Sequence, residues 1–326
     1  MRSILKREMK ERILDFLKKK QGYLSGDEIS QHLGISRQGL WKHIQELKEM
    51  GYDFAAVPHL GYRLESCPDA LLDLEIRYQL NTKFIGRQIH YFEYLSSTND
   101  LAMQLGMQNA PSGTLVVAES QTKGRGRLGR SWFSPKYKGI YFSLLLKPDI
   151  LPEGSPVLTI MLAVSIAEAV KNISGLNPQI KWPNDLFLGN KKVAGILTEM
   201  NAEADKINFI VMGVGLNVNN DKKSLISGAT SLKEHAREKL NRVLLLQEML
   251  RRIEQNYSLW ELKGPAVILD KWRQYSLTLG KRVKVYCHNK HIEGSAVDID
   301  KDGGLLIRKD SGILAKVMAG DVIHCR

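Results

Sequence analysis

Gly124-Arg125-Gly126-Arg127-Leu128-Gly129-Arg130-Ser131-Trp132 is the stretch on which the architecture turns. Three glycines within six residues exclude a strong helix or a well-packed strand, so the segment reads as a loop whose backbone can approach a ligand closely. It is not a Rossmann fingerprint, because the glycine order is wrong and no strand–helix junction follows. It is not a P-loop, because the Gly-Lys-Ser/Thr ending is missing. Three arginines within six residues repel one another unless an anion joins them. Guanidinium forks bind carboxylates and phosphates through paired hydrogen bonds. A solvated basic loop is the plainer reading; the interleaved glycines and the closing Trp132 favour a ligand clamp.

Charge is focused on the same place. The 326-residue chain carries +12 overall, which suits a polyanionic partner. Residues 119–147 hold seven Lys and Arg against Glu119 alone, whereas residues 1–66 hold twelve against nine acidic residues. A small anionic ligand therefore explains the sharpest basic focus as well as nucleic acid does. At 43% hydrophobic and 25% charged, the composition is that of an ordinary globular protein with room for two or three domains. No apolar run approaches the ~18 residues of a membrane span. The N-terminus (Lys6, Arg7, Glu8, Lys10, Glu11, Arg12) lacks an apolar signal core, so a cytoplasmic location without a membrane partner is expected. Cys67, Cys287 and Cys325 are odd in number and far apart, which points to reduced thiols and not to a disulfide frame or metal site.

Around the loop, Thr114–Ala118, Ile140–Leu146, Ile180–Trp182, Val193–Glu199 and Ile207–Val214 are β-rich apolar runs. Ser155-Pro156 opens a helix to about Asn172, and helices fit Arg242–Trp260 and Pro265–Gln274. Strands and helices mix with short gaps, so the fold class is α+β and not a doubly wound sheet. From Thr278, four short runs (Arg282–Tyr286, His291–Asp298, Leu305–Arg308, Ile313–Met318) alternate with Gly-rich turns, and a small SH3-like β-barrel is expected.

Upstream, Met9, Ile13, Phe16 and Leu17 recur at helical spacing over residues 6–19. Gly26–Leu33 forms a second helix, and Ser36 can N-cap a third that runs to about Met50 with Leu40, Ile44 and Leu47 inward. The turn Gly34-Ile35-Ser36 makes a helix-turn-helix. Tyr52–Val57 and Tyr62-Arg63-Leu64 around Pro58–Gly61 supply the wing of a winged helix; a three-helix bundle with a hairpin is the alternative. Cys67-Pro68 marks a break before a linker helix over Leu71–Leu80. The expected division is a winged-helix DNA-binding domain at 1–66, a catalytic domain at 67–276 with its linker at 67–82, and the barrel at 277–326.

Three more motifs carry chemistry. Lys181-Trp182-Pro183-Asn184-Asp185 breaks a strand at Pro183 and presents an amide and a carboxylate from a turn, with Lys192 and Gly195 following in the next strand. A plain Asn-Asp hairpin turn reads equally well. Ser97-Thr98-Asn99 begins a helix, where an N-cap is the simplest role. Gly213-Val214-Gly215-Leu216-Asn217-Val218-Asn219 is an apolar strand whose glycines permit close approach, or simply a twisted core strand.

Taken in order, Ser-Thr-Asn, Gln121 with Gly-Arg-Gly-Arg-x-Gly-Arg-x-Trp, Lys-Trp-Pro-Asn-Asp, Lys-x-Ala-Gly-Ile-Leu and Gly-x-Gly-x-Asn resemble the catalytic domain of biotin–protein ligases. Gly34-Ile35-Ser36-Arg37 and Pro58-x-x-Gly61-Tyr62 resemble the form that doubles as the biotin operon repressor, so the resemblance spans the whole chain. It implies an enzyme that joins biotin to ATP as biotinoyl-AMP, with Mg²⁺, and passes biotin to a lysine of a biotin carboxyl carrier domain. By motif, Ser97, Thr98, Asn99 and Gln121 would surround the biotin ring system. Arg125, Gly126 and Arg127 would hold its carboxylate and the adenylate phosphate, and Lys192 would reach the same group beside Gly195. Arg130, Trp132, Asn184 and Asn217 would complete the ATP site, Trp132 as the adenine platform. Asn184 and Asp185 mark the region of Mg²⁺ and triphosphate, with the metal ligands unassigned, and Asp185 would orient the attacking carrier lysine. Arg125, Lys192 and Asp185 are thus the implied catalytic set. On the DNA side, Ser36, Arg37, Gln38, Trp41 and Lys42, with His43, lie on the first turns of the recognition helix, and a homodimer on operator DNA with biotinoyl-AMP as corepressor is implied. Residues 121–131 and 220–231 suit loops that order over the ligand. The rivals are a lipoate-type ligase, a ligand-sensing repressor without catalysis, and a ligase whose winged helix does not regulate transcription.

Overall fold

The computed structural model describes residues 2–20, 22–287 and 290–324. It divides into two compact units, Met1–Gln79 and Leu80–Arg326.

In the first unit, α1 (Arg2–Lys19), α2 (Gly26–Leu33) and α3 (Arg37–Glu49) precede a hairpin of β1 (Asp53–Val57) and β2 (Gly61–Ser66), then the short α4 (Asp73–Arg77). Ile13, Leu17, Ile29, Leu33, Leu40, Ile44 and Leu47 bury together as the helix core. Ser25 and Ser36 cap α2 and α3 by accepting from the amides of Glu28 (3.0 Å) and Gly39 (3.1 Å). Each cap contributes about 1 kcal/mol. Leu24 and Tyr62 exchange backbone hydrogen bonds at 2.9 and 2.8 Å, which adds a third short strand beside the hairpin. Gly61 permits it: its φ is 101°, and a Cβ there would strike the Leu24 carbonyl. The linker helix is shorter than the expected 71–80 run. Its buried Glu75 accepts from Lys18 Nζ at 2.7 and 2.8 Å and from the Tyr52 hydroxyl at 2.7 Å, which ties it to this unit.

The second unit is built on a seven-stranded sheet. Its strands are β3 (Ile89–Phe92), β4 (Thr114–Ala118), β5 (Gly139–Leu146), β6 (Gln179–Lys181), β7 (Asp185–Leu188), β8 (Lys191–Ala202) and β9 (Ile207–Asn217), in the order β3-β4-β5-β9-β8-β7-β6. Only β3–β4 is parallel; the other neighbours are antiparallel. Every residue of β4 and β5 is buried, so both faces of the sheet centre are covered. The helices are α5 (Thr98–Met107), α6 (Ser155–Ser174), α7 (Leu232–Ala236), α8 (Arg242–Lys263) and α9 (Ala266–Tyr275). On one side Ala102 of α5 packs on Val116, Leu145, Phe209 and Val211. Contrary to the sequence expectation, α6 is long and apolar enough by composition to cross a membrane. Yet 72% of its most apolar window is buried inside the protein. It is the core helix against which α8 and α9 pack.

The last five strands are β10 (Arg282–Cys287), β11 (Lys290–Ile299), β12 (Leu305–Arg308), β13 (Leu314–Val317) and β14 (Asp321–His324). They correct the sequence reading: this is an open antiparallel sheet, ordered β13-β12-β11-β10-β14, and not an SH3-like barrel. A bulge between Ala296 and Asp298 bends β11, whose first half pairs with β10 and second half with β12. The outer strands β13 and β14 follow each other in sequence, yet they do not pair among the described residues. β14 crosses to β10 instead. Between them the Gly320 carbonyl accepts from Arg127 Nη2 at 3.2 Å, so a polar group at the open edge serves the glycine–arginine loop. Cys67 is a free thiol; Cys325 lies outside the described residues.

Candidate active site

The strands β5, β9 and β8 lie side by side, and their register builds the floor of a cavity of about 370 Å³. Ser143, Gly213 and Leu197 are cross-strand partners in one row, and Tyr141, Gly215 and Gly195 in the row two residues further along. Such rows share a face and are spaced by roughly 7 Å. The glycines are slots. A Cβ on Gly213 would strike the Asn99 side chain; one on Gly215 would strike the Trp132 indole, and one on Gly195 would crowd Trp132 and Lys192. Small residues here are therefore what lets two side chains from elsewhere lie against the sheet.

One end of the cavity is made of hydroxyls and amides. Ser97 caps α5 by accepting from the Asp100 amide at 3.4 Å, the role its position suggests. Capping holds Thr98 and Asn99 in the buried first turn. The Gln121 carbonyl oxygen accepts from the Thr98 amide (2.8 Å) and hydroxyl (3.1 Å), and its amide donates to Ser134 Oγ (3.1 Å). Asn99 donates to the Leu197 carbonyl (3.2 Å) and to Glu199 Oε2 (2.7 Å), and its own oxygen lies 2.6 Å from Ser143 Oγ. Both donor hydrogens of Asn99 are thus committed within the protein.

The other end is cationic. The loop folds back on itself: the Trp132 amide donates to the Gly124 carbonyl (2.8 Å), and the Gly126 amide to the Arg130 carbonyl (2.6 Å). Arg125 pairs with Asp100 (2.5 Å) and Glu199 (3.0 Å). Burial alone would lower its pKa, but these carboxylates hold it above the usual value. Arg127 donates to Asn184 Oδ1 at 2.8 Å, and Arg130 pairs with Asp321. Lys192 pairs with Asp185 at 2.8 Å and lies over the Trp132 ring. Burial pushes the neighbouring Lys181 ammonium down; Asp185 opposes that and Lys192 adds to it. Each of these four cavity cations rests on a protein oxygen that a ligand anion can replace.

Lys-Trp-Pro-Asn-Asp splits between structure and site. Trp182 is buried and donates to the Gly303 carbonyl at 2.9 Å, pinning the last sheet to the turn. Asn184 donates to the Ile196 carbonyl at 2.7 Å and, with Asp185, faces the cavity. Asn217 lies in the wall too, and donates to the Thr230 carbonyl at 3.0 Å. Residues 225–229 line this end of the cavity. They are anchored by the Lys192 amide on the Gly228 carbonyl and the Thr230 amide on the Lys192 carbonyl, both 2.8 Å.

All fourteen ligase-site residues named from the sequence line this cavity: Ser97, Thr98, Asn99, Gln121, Arg125, Gly126, Arg127, Arg130, Trp132, Asn184, Asp185, Lys192, Gly195 and Asn217. Sequence reading missed Asp321, which reaches the cavity from β14, and the supporting Ser143, Asp100 and Glu199. These are single polar residues within strands or helices; strand pairing brings in Ser143, Glu199 and Asp321, and the first turn of α5 brings in Asp100. Among the described residues no group of three or more His, Cys, Asp or Glu could hold a metal ion. In the first unit, Gln38, Trp41 and Lys42 are exposed on α3, away from its buried Leu40, Ile44 and Leu47. Ser36 is the helix cap, Arg37 pairs with Asp27, and His43 sits near Glu46.

The comparisons with known proteins agree in all three regions. The model of the Biotin/lipoate A/B protein ligase family matches residues 91–217, an HTH domain matches 10–63, and the Biotin protein ligase C terminal domain matches 278–325. The bifunctional ligase/repressor BirA of Bacillus subtilis is 39% identical over 326 residues, covering 99% of each chain. That of Escherichia coli is 31% identical over 300 residues, covering 91% of this chain and 92% of its own. The biotin protein ligase from Aquifex aeolicus, solved in complex with biotin and ATP, superposes with a TM-score of 0.63 at 31% identity, covering 74% of this chain and 99% of its own. The chain belongs to the bifunctional ligase/repressor family, ATP-dependent biotin–protein ligases that also act as transcriptional repressors.

Proposed function

We propose that the cavity on β5, β9 and β8 binds biotin and ATP in line and forms biotinoyl-AMP there. The carrying observation is the polarity of one cavity, with hydroxyls and amides at one end and three arginines and a lysine at the other. A ureido ring has donors and acceptors that need fixed partners when buried. Ser97, Thr98, Gln121 and the remaining acceptor of Asn99 supply them. Arg125, Gly126 and Arg127 hold the biotin carboxylate and the adenylate phosphate, and Lys192 reaches the same group beside Gly195. Trp132 is the adenine platform; Arg130, Asn184 and Asn217 complete the nucleotide end. A carboxylate attacking a phosphate brings two anions together, so positioned cations lower a barrier that is largely electrostatic.

Magnesium fits this site as part of the nucleotide. Mg²⁺ characteristically uses one or two carboxylates plus substrate phosphates. Asp185 and Asp321 are the carboxylates of the cavity wall, and no larger acidic cage surrounds them among the described residues. The ion would neutralise triphosphate charge, with Asp185 and the Asn184 oxygen as its protein contacts. In the transfer step, Asp185 holds Lys192 and orients the attacking carrier lysine. Asp185→Asn slows transfer from preformed biotinoyl-AMP; an unchanged rate removes it from this step.

The acceptor is a biotin carboxyl carrier domain, and the regulatory target is operator DNA, bound as a homodimer through α3 with biotinoyl-AMP as corepressor. Ser36, Arg37, Gln38, Trp41 and Lys42 meet the DNA. We divide the chain functionally into a DNA-binding part at 1–66, a catalytic part at 67–276 and a C-terminal sheet at 277–326, and place it in the cytoplasm with its carrier and operator. Pyrophosphate release from ATP with biotin, and separately with lipoate, tests the enzymatic half: release must depend on biotin. Operator affinity with and without biotin plus ATP tests the other half, and equal affinities refute the corepressor role.

A further inference from the structure

Glu199 does not line the cavity, and no motif draws attention to it. Its carboxylate nevertheless joins the two ends of the site. Oε2 accepts from Asn99 Nδ2 at 2.7 Å and from Arg125 Nη2 at 3.0 Å. The chain continues behind Asn99: the Asn99 oxygen lies 2.6 Å and the Thr98 hydroxyl 2.8 Å from the buried Ser143 hydroxyl. Thr98 in turn donates to Gln121. An amide side chain has two orientations that differ only in where its oxygen and nitrogen lie. Here the Glu199 carboxylate, with the Leu197 carbonyl beside it at 3.2 Å, can only accept and so holds the nitrogen on its side, whereas the Ser143 hydroxyl can meet either atom. Among the described residues Asp100, the second carboxylate on Arg125, makes no contact of this kind with Asn99, and its side chain is 52% exposed against 29% for Glu199.

We propose that Glu199 is a positioning residue that fixes the orientation of Asn99 and the place of Arg125 together, so that the ring end and the carboxylate end of the site are set by one side chain. The inference rests on the reading of this cavity as the biotin site. Charge-assisted hydrogen bonds are the strong ones, and a neutral amide of the same size cannot replace the ion pair to Arg125. Arg127, Arg130, Lys192 and Trp132 have no bond to Glu199 among the described residues, so ATP keeps these contacts and only its share of Arg125 is disturbed.

The test uses the full chain and its Glu199→Gln variant. Binding of biotin without ATP is measured by calorimetry, pyrophosphate release is measured against ATP at saturating biotin, and thermal midpoints are compared. The expected result is about a tenfold loss of biotin affinity, the scale of one charge-assisted hydrogen bond, with ATP half-saturation changed less than about threefold and an unshifted midpoint. Unchanged biotin affinity overturns the proposal. So does an equal loss for biotin and ATP with a lowered midpoint, which would make Glu199 a support of the fold. Failure of the unmodified chain to bind biotin would instead refute the functional reading on which the proposal stands.

Discussion

Gly215→Ala adds one methyl group to the floor of the cavity, beneath Trp132. The backbone there is extended and accepts alanine without strain, so the effect is steric. The new Cβ would overlap Nε1 and Cε2 of the indole and lie 2.9 Å from Cδ1. Carbon atoms pack at ~3.5–4.0 Å, so the ring must lift by about 1 Å. A misplacement of about 1 Å costs on the order of a hundredfold when a group positions a reactant, or about 2.7 kcal/mol. If Trp132 carries the adenine ring, that loss falls on ATP. Gly213→Ala is the internal contrast: its Cβ would strike Asn99, 2.8 Å from Cγ, and disturb the biotin end one row away. The assay is pyrophosphate release against ATP and biotin in turn, with biotin binding measured alone. Gly215→Ala should raise ATP half-saturation or lower turnover by about a hundredfold while biotin affinity changes less than about threefold; Gly213→Ala should do the reverse. Wild-type ATP kinetics in Gly215→Ala, or equal damage to both ligands in both variants, refutes the ordering of the cavity along β9.

Arg242→Met leaves Glu119 buried without the guanidinium that meets it at 2.7 Å, both side chains being fully buried. About 3–5 kcal/mol of unfolding free energy should be lost in urea titrations, and a loss below about 1 kcal/mol would contradict the account. Lys42→Ala should flatten the plot of log affinity for a DNA duplex against log salt by about 0.9 per protomer, and parallel plots would exclude a phosphate contact. Burial, with Lys181 and Lys281 adding to it, pushes the half-buried His324 down to about 4. The unfolded chain titrates near 6.5 and binds the proton first as pH falls, so stability is lost between about pH 6.5 and 4. The urea midpoint of His324→Gln should fall less steeply than wild type over that window; identical slopes would exclude His324 as a source.

Local chemistry is what the sequence by itself determined. Ser36 caps α3 through its own hydroxyl, and Leu40, Ile44 and Leu47 recur at the period of a helix, so α3 was legible where it lies. The cavity residues were legible for a related reason. Glycine, arginine and Asn-Asp clusters are unsuited to a core, so their grouping marks a site before the fold is known. Two strands next to the site were not legible. β7 begins at Asp185, within the motif itself, and β14 is four residues with no turn signal beyond Gly320. The number of strand signals after Thr278 suggested a closed barrel, but closure depends on which edges pair, a long-range property that short-range alternation does not encode.

Tertiary structure alone decided the rest, because register is set between strands and not within them. It put Gly195 opposite Gly215, making a slot for Trp132 from a loop more than sixty residues away in the chain. It brought Glu199 to Asn99 and Arg125, and Asp321 to Arg130. It also divided Lys181-Trp182-Pro183-Asn184-Asp185 between a buried Trp182 that pins a sheet and an Asn184-Asp185 pair that faces the cavity. The residue types announced what chemistry was present; the pairing of β5, β9 and β8 determined which of them share a wall.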